Sequence, residues 1–302
     1  RCENNQLTTL DVRNGNNTNM STSSYYLKFT NNPQLYCIDV DDVAWADTNW
    51  TVASGHINYW NSFSGDCALE TLGCADSLAN NYDPIATLND GSCDYGTTYV
   101  PDDNFENYLE NNGMGDGIAG NNSVITANIR FEPSLYVSYK SISDLTGIED
   151  FYSLQTLYCN NNQLDTLDLS QNTALTYLNC KSNSLDILDV SQNTALTTLY
   201  CYSNQLTSLD VSTNTALTTL HCHYNQLSSL DLSNNTALTD LGCGYNQLTS
   251  LNVSNNTALI TIGSNGNQLT TLDVSNNTAL TGLNCGSNQL TSLDVSHNTS
   301  LT

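Results

Sequence analysis

The amino-acid sequence predicts a repeat solenoid, mainly short parallel β-strands and turns with little helix. Three observations lead there. Cys159, Cys180, Cys201, Cys222, Cys243 and Cys285 are spaced by 21 or 42 residues, with Ser264 in the one vacancy, and a fixed period of that size marks stacked supersecondary units. The pattern L-x-x-L-x-C-x-x-N-x-L-x-x-L-D-V-S-x-N-T-A surrounds each cysteine, as in Leu175, Leu178, Cys180, Asn183, Leu185, Leu188, Asp189, Val190, Asn193, Thr194 and Ala195. Within it, L-x-C and L-D-V alternate so that Leu, Cys and Val point inward and their neighbours outward. Two parallel strand ladders are expected.

Taken in order, residues 1–70 open with RCENNQLTTLDV, in which Cys2, Asn5, Leu7, Leu10, Asp11 and Val12 repeat the motif once. The regular pattern then dissolves into a Tyr- and Trp-containing stretch running through NPQLYCIDVDD to Cys67, which reads as the last coil and C-terminal cap of a preceding array. Residues 71–98 hold GCADSLANNYDPIATLNDGSCDY, an acidic connector bounded by Cys74 and Cys93. Residues 99–153 form an N-terminal cap and first coils. There VPDDNFENYL sets a proline and acidic residues ahead of Phe105, Tyr108 and Leu109 at helical spacing, a short helix signal. Residues 154–302 carry the 21-residue repeats.

One coil offers about six inward apolar side chains, each stabilising by roughly 1.5–3 kcal/mol when buried, against about 1–2 kcal/mol of backbone entropy per residue. A single coil therefore cannot fold alone. Stacking places Leu164, Leu185, Leu206, Leu227, Leu248, Leu269 and Leu290 on one another, so each coil completes its neighbour's core. Asn183, Asn204, Asn225, Asn246, Asn267 and Asn288 fall at one turn of every coil, where stacked amides satisfy the backbone of the next coil.

These residues resemble the leucine-rich repeat. The nested second L-x-x-L-D-V-S-x-N is similar to the 21-residue bacterial IRREKO subclass. SISDLTGIEDFYSLQTL, within 125–157, is similar to the opening coils of bacterial leucine-rich-repeat domains, and 73–95 resembles a Cys-bounded acidic module found between domains of secreted, mainly marine, bacterial proteins. The resemblance reaches secreted surface proteins of the type IX-exported kind and implies an extracellular or bacterial cell-surface location.

With 6 Lys and Arg against 30 Asp and Glu, the formal charge is −24, which argues against nucleic acid and anionic membranes as partners and makes cations more natural ones. No apolar run approaches the roughly 20 residues that cross a bilayer, so no membrane insertion is expected. Seven of the 11 cysteines occupy the inward ladder. Parallel side chains about 5 Å apart suit packed thiols better than the turned geometry of a disulfide. The other four pair as Cys37 with Cys67 and Cys74 with Cys93, in small units that lack a large core, which implies an oxidising setting.

The connector offers Asp76, Asn80, Asp83, Asn89, Asp90 and Asp94 within its closed loop. This is the oxygen-only set that calcium prefers, though its spacing departs from the EF-hand, and a solvated acidic linker is the alternative. A second oxygen-rich stretch, 116–122, offers an ion site or, more simply, a glycine-rich turn. Asp168, Asp189, Asp210, Asp231, Asp273 and Asp294 form a further ladder interrupted by Asn252. Unit charges about 5 Å apart repel by roughly 1 kcal/mol even in water, so these side chains face solvent, bond to the following turn, or collect cations.

Catalysis finds little support. Only His56, His221, His223 and His297 are available as bases, and alternation turns His221 and His223 away from Cys222, so the three do not converge on a metal or a nucleophile. The carboxylates recur on every coil rather than gathering in one cleft. Outward positions beside the cysteine ladder carry Tyr158, Tyr200, Tyr202, His221 and His223, with Tyr224 and Tyr245 close by, before giving way to Gly242, Gly244, Gly263 and Gly286. Such a strip stacks on sugar rings or grips a peptide, or simply stabilises strands. Asp165-Thr166-Leu167 and Asp76-Ser77-Leu78 also resemble a glycan-acceptor triplet of surface-secreting bacteria.

The first functional expectation is a non-catalytic extracellular structural protein, a unit of a surface fibre or adhesin stalk whose partners are copies of itself. The chain begins at Arg1 without a leader, as a processed product or internal piece would. The ladder position after Cys285 would be 306, and the first cysteine of a copy joined to Thr302 would be 304. A period two residues longer would run in register into its own beginning, as tandem copies or as head-to-tail subunits. The alternative expectation is a recognition module that binds surface glycans or proteins through the Tyr and His strip.

Overall fold

A computed structural model describes residues 2–23, 25–58 and 61–302. Arg1, on which the reading of the chain's start rests, lies outside them, as do Ser24, Tyr59 and Trp60. The chain divides into two compact units, 1–96 and 97–302.

In the first unit, strands β1 (Leu10–Asp11), β2 (Cys37–Asp39) and β3 (Ser62–Ser64) pair in parallel, with Leu10 opposite Ile38 and Ile38 opposite Phe63. The coiling therefore does not dissolve after the first coil. It continues through two longer turns that the 21-residue pattern cannot register, because their connections carry extra residues, including helix α1 (Val43–Asn49) capped by the Asp42 carboxylate on Trp45 N. A second line of inter-coil bonds runs along the Cys2 side: Cys2 N to Lys28 O, Asn4 N to Thr30 O and Phe29 N to His56 O. The core is aromatic, with Trp50 fully buried against Phe29 and Phe63. A disulfide joins Cys37 of β2 to Cys67. A second joins Cys74 to Cys93 around the small parallel pair β4 (Leu72–Gly73) and β5 (Leu88–Asn89).

The second unit opens with an antiparallel pair, β6 (Thr97–Tyr99) and β7 (Ser123–Ile125), around helix α2 (Asp103–Asn111). Asp102 caps α2 by accepting from Asn104 N and Phe105 N, and its other oxygen accepts from Ser143 N and Asp144 N. The cap is thereby tied to the first coil. Phe105 and Leu109 enter the same core as the repeat leucines. Gly147 is required here: its φ is +103°, and a Cβ would lie 2.9 Å from Tyr99 O. After the short helix α3 (Thr126–Ile129), eight strands form one parallel sheet in sequence order: β8 (Ser134–Tyr136), β9 (Thr156–Tyr158), β10 (Tyr177–Asn179), β11 (Thr198–Tyr200), β12 (Thr219–His221), β13 (Asp240–Gly242), β14 (Thr261–Gly263) and β15 (Gly282–Asn284). From β9 onward their register is the 21-residue period itself, Leu178 facing Leu199 and Leu199 facing Leu220.

The six inward positions of the coil holding Leu175, Leu178, Cys180, Leu185, Leu188 and Val190 are all buried. The expected second strand ladder is absent from this array among the described residues: L-D-V segments form no strand. Instead each Asp turns its own backbone, Asp189 Oδ1 accepting from Ser191 N at 2.9 Å. The coils are bridged there by buried amides, Asn193 Nδ2 donating to Leu169 O and Asn172 O of the preceding coil. Asn214, Asn235, Asn256, Asn277 and Asn298 repeat the contact. The turn asparagines form the other ladder. Asn204 Nδ2 donates to Cys180 O and Cys201 O while its Oδ1 accepts from Leu185 N.

Candidate recognition surface

Strand alternation places the residue between Leu and Cys, and the one two positions earlier, on the outer face of the sheet. On consecutive coils this builds a line of rings. Tyr136 stacks on Tyr158 at 5.3 Å, Tyr158 on Tyr177 at 4.7 Å, and the line continues edge-on through Tyr200 to His221. A second line begins after the cysteines. Tyr202 stacks on His223 at 4.1 Å, His223 meets Tyr224, and Tyr224 lies flat on Tyr245 at 4.4 Å with the planes 7° apart. His221 and His223, 5.7 Å apart, join the two lines.

All seven strip residues named from the sequence thus lie in one contiguous band. Tyr136 and Tyr177 belong to it as well and were missed. Tyr177 was legible, since it sits two residues before Asn179 and so shares its face, whereas Tyr136 lies on a coil before the regular period starts. Lys181 was missed too; its Nζ is 5.1 Å from the Tyr202 ring centroid.

Beyond Tyr245 the band ends in a depression of about 250 Å³ lined by His223, Tyr224, Gly242, Gly244, Tyr245, Gly263 and Asn265. Its glycines make room for rings. A Cβ on Gly242 would meet the His221 ring at 3.1 Å, and one on Gly266 would meet Tyr245 at 2.7 Å. Tyr224 and Tyr245 have φ of 54° and 51°, the left-handed region that a bulky side chain enters at a cost of about 1–2 kcal/mol. The same position on neighbouring coils holds Asn161, Ser182, Ser203, Gly266 and Ser287. The two tyrosines are nevertheless 51% and 47% exposed, so inward packing does not offset that cost.

Burial raises the Tyr177 hydroxyl, with Tyr158 beside it, and raises Tyr200, with Asp240 nearby. Burial lowers His223, and His221 adds to the effect. Burial thus favours the neutral forms of Tyr177, Tyr200 and His223. At one edge Asp240 accepts from His221 Nε2 at 2.9 Å and from the Thr261 hydroxyl.

The ladder thiols are sealed. Cys159, Cys180, Cys201, Cys222 and Cys243 are buried and unpaired with one another, and burial pushes Cys180 and Cys243 up to about 12. His56 is fully buried with Nδ1 on Ser54 Oγ at 2.6 Å, beyond the reach of a substrate. In the connector, Asp76 accepts from Leu78 N and Tyr95 Oη, Asp83 from Ile85 N, Asn89 from Gly91 N and Asp90 from Ser92 N, while Asn80 N donates to Asp94 O. The Asp76, Asp83, Asn89 and Asp90 side chains are thus turned to their own loop or to Tyr95, while Asn80 and Asp94 meet through backbone groups. Among the described residues no three His, Cys, Asp or Glu side chains gather to hold a metal. The 116–122 stretch is a turn whose N–H groups face carboxylates: Asp116 N and Gly117 N donate to Glu110, and Asn121 N and Asn122 N to Glu106.

A family model described as leucine rich repeats in two copies matches residues 194–234. The fold is a leucine-rich-repeat solenoid. Among solved structures it is similar to internalin C2 from Listeria monocytogenes, with TM-score 0.60 and 21% identity over 67% of this chain and 92% of that one. A leucine-rich-repeat protein of Leptospira interrogans has TM-score 0.51 and 26% identity over 53% and 44%. The functional domain of InlJ from Listeria monocytogenes, which includes a cysteine ladder, has TM-score 0.49 and 33% identity over 68% and 56%. The chain thus spans about half the length of the last two. A search of curated proteins gave no match. No described helix is long and apolar enough to cross a membrane. With its two disulfides, which belong to oxidising compartments, this leucine-rich-repeat protein is extracellular.

Proposed function

We propose that the chain is an extracellular recognition module that binds a surface glycan or peptide across its aromatic strip. The carrying observation is the Tyr224–Tyr245 pair, stacked, half-exposed and held in left-handed backbone beside a glycine-floored depression. Residues kept in disfavoured conformations cluster at ligand sites, and exposed rings beside flat backbone suit the stacking of sugar or peptide faces. Glycan and peptide arrays probed with the intact chain test this. Loss of the captured ligand on Tyr200→Ala/Tyr202→Ala or Tyr224→Asn/Tyr245→Asn substitution supports the reading, and unchanged capture by both variants sinks it.

A unit of a fibre or stalk, with copies of itself as partners, draws on the stiffness of stacked coils, which any outward residues would serve equally. It does not account for rings massed on the middle coils. From the sequence resemblance we further infer the 21-residue nested repeat class, type IX export, and the division into a preceding array end (1–70), a connector (71–98), a cap (99–153) and the array (154–302). A calcium ion in the connector, on Asp76, Asn80, Asp83, Asn89 and Asp90, is tested by the shift of the melting temperature with added calcium.

A further inference from the structure

Across residues 154–302 there are nine Asp and no Glu, and Lys181 is the sole Lys or Arg. Its place is therefore informative. It lies two residues past the end of β10, and its ammonium lies against the face of Tyr202, which in turn stacks on His223. One cation, one phenol and one imidazole thus run across three successive coils.

The carboxylates are sorted away from this line. Eight of the nine lie in the L-x-x-L-D segments, outside the sheet, with the buried leucines between them and the strip. Two layers of chain stand about 10 Å apart, beyond the roughly 8 Å over which charges are felt at physiological ionic strength. The ninth, Asp240, is in the sheet, but its oxygens are taken by His221 and Thr261. The eight strands contain no other acidic residue. The Tyr202 hydroxyl beside Lys181 is the main influence holding its ammonium charged.

We propose that the strip selects an acidic saccharide, one bearing carboxylate or sulfate groups, with an anionic group on the Lys181 ammonium and a further sugar ring of the same chain against the half-exposed Tyr224 and Tyr245 at the depression, two and three coils on. This rests on the strip being the recognition surface. A sugar fits better than an acidic peptide because the depression at the end of the band sets the Tyr224 and Tyr245 rings beside Gly242, Gly244, Gly263 and the Asn265 amide, with no second cation to pair a run of peptide carboxylates.

The test measures binding of the intact chain to four probes: a hyaluronan octasaccharide and a chondroitin sulfate octasaccharide as acids, chitohexaose and cellohexaose as neutral chains, with a deca-glutamate peptide as control. Expected is at least tenfold tighter binding of one acidic saccharide than of either neutral one, a preference lost in Lys181→Gln and retained in Lys181→Arg, both variants melting as the parent does. Neutral chains binding as tightly as acidic ones, indifference to Lys181→Gln, or deca-glutamate binding as tightly as the saccharides would overturn the acidic assignment while leaving recognition by the strip standing. Binding of no probe also overturns it, and the array experiment on Tyr224→Asn/Tyr245→Asn then decides the recognition reading separately.

Discussion

Tyr224 and Tyr245 lie face to face with centroids 4.4 Å apart, although each sits in a backbone conformation that the equivalent Ser182, Ser203 and Gly266 occupy more easily. The pair sets stacking, about 0.5–1.5 kcal/mol, against two left-handed tyrosines at about 1–2 kcal/mol each. Tyr224→Asn/Tyr245→Asn is therefore expected to melt no lower than the parent while losing ligand. A fall in melting temperature of several degrees would show that the rings serve stability and remove the ground for assigning them to binding.

Sealed thiols give a second prediction. Cys159, Cys180, Cys201, Cys222 and Cys243 are buried, with burial raising their pKa, whereas Cys2 and Cys285 are partly exposed. Because the thiolate is the reactive form, iodoacetamide followed by mass spectrometry should label Cys285 and Cys2 in the native chain and the other five only after denaturation. Native labelling of Cys201 or Cys222 at the rate of Cys285 would mean that the coils open readily.

Periodicity made much of this molecule legible. Six inward side chains per coil and the turn asparagines follow from the 21-residue pattern because stacking repeats every contact. What the pattern could not convey was the chemistry of the second side of the coil. Two strand ladders were expected from the alternation in both L-x-C and L-D-V, but alternation sets only which way side chains point, not whether neighbouring backbones come within bonding distance. In the array, Asn193 and its equivalents reach across where backbone groups do not pair. The coiling between Cys2 and Cys67 was hidden for a related reason: its coils differ in length, so no period exposes them, yet Leu10, Ile38 and Phe63 stay in parallel register. In the strip, Tyr158, Tyr200 and His221 were readable from alternation, while the left-handed backbone of Tyr224 and Tyr245 was not.

The buried amide row yields the third prediction. Asn214 Nδ2 donates to Val190 O at 3.0 Å and to Asn193 O at 2.9 Å, and Asn214→Ala leaves each carbonyl only its in-coil donor, Asn193 N on Val190 O and Leu196 N on Asn193 O. Each lost hydrogen bond costs about 0.5–1.5 kcal/mol. Denaturant unfolding of Asn214→Ala should therefore show a drop of about 1–3 kcal/mol, and Asn214→Asp, which sets a buried carboxylate against both carbonyls, a larger drop at neutral pH that shrinks at low pH as the acid form restores one donor. A change below about 0.5 kcal/mol, the size of an ordinary surface substitution, would mean that the inter-coil bridge is dispensable.

The aspartate ladder sets the response to acid. Asp168, Asp189, Asp231, Asp273 and Asp294 are held below the ordinary carboxylate range by the backbone N–H of the serine two residues on, and next by its hydroxyl. For a group whose folded-state pKa is lowered, the ionised form favours folding; that contribution is complete above the unfolded value and is lost as pH falls through the folded one. An ordinary aspartate carboxyl titrates near 3.8, so melting temperature should hold steady down to about pH 5 and fall progressively below about pH 4. Asn252 shows that the turn needs no charge, since its Oδ1 accepts from Ser254 N at 3.0 Å as the aspartates do from their serines. Replacing Asp189, Asp231 and Asp273 by Asn is then expected to preserve stability at pH 7, relieve repulsion along the row, and flatten the acid limb of the melting curve. An acid limb unchanged in that triple variant would place the acid sensitivity in other carboxylates, such as Asp102 at the cap, whose Oδ2 holds Ser143 N at 2.7 Å.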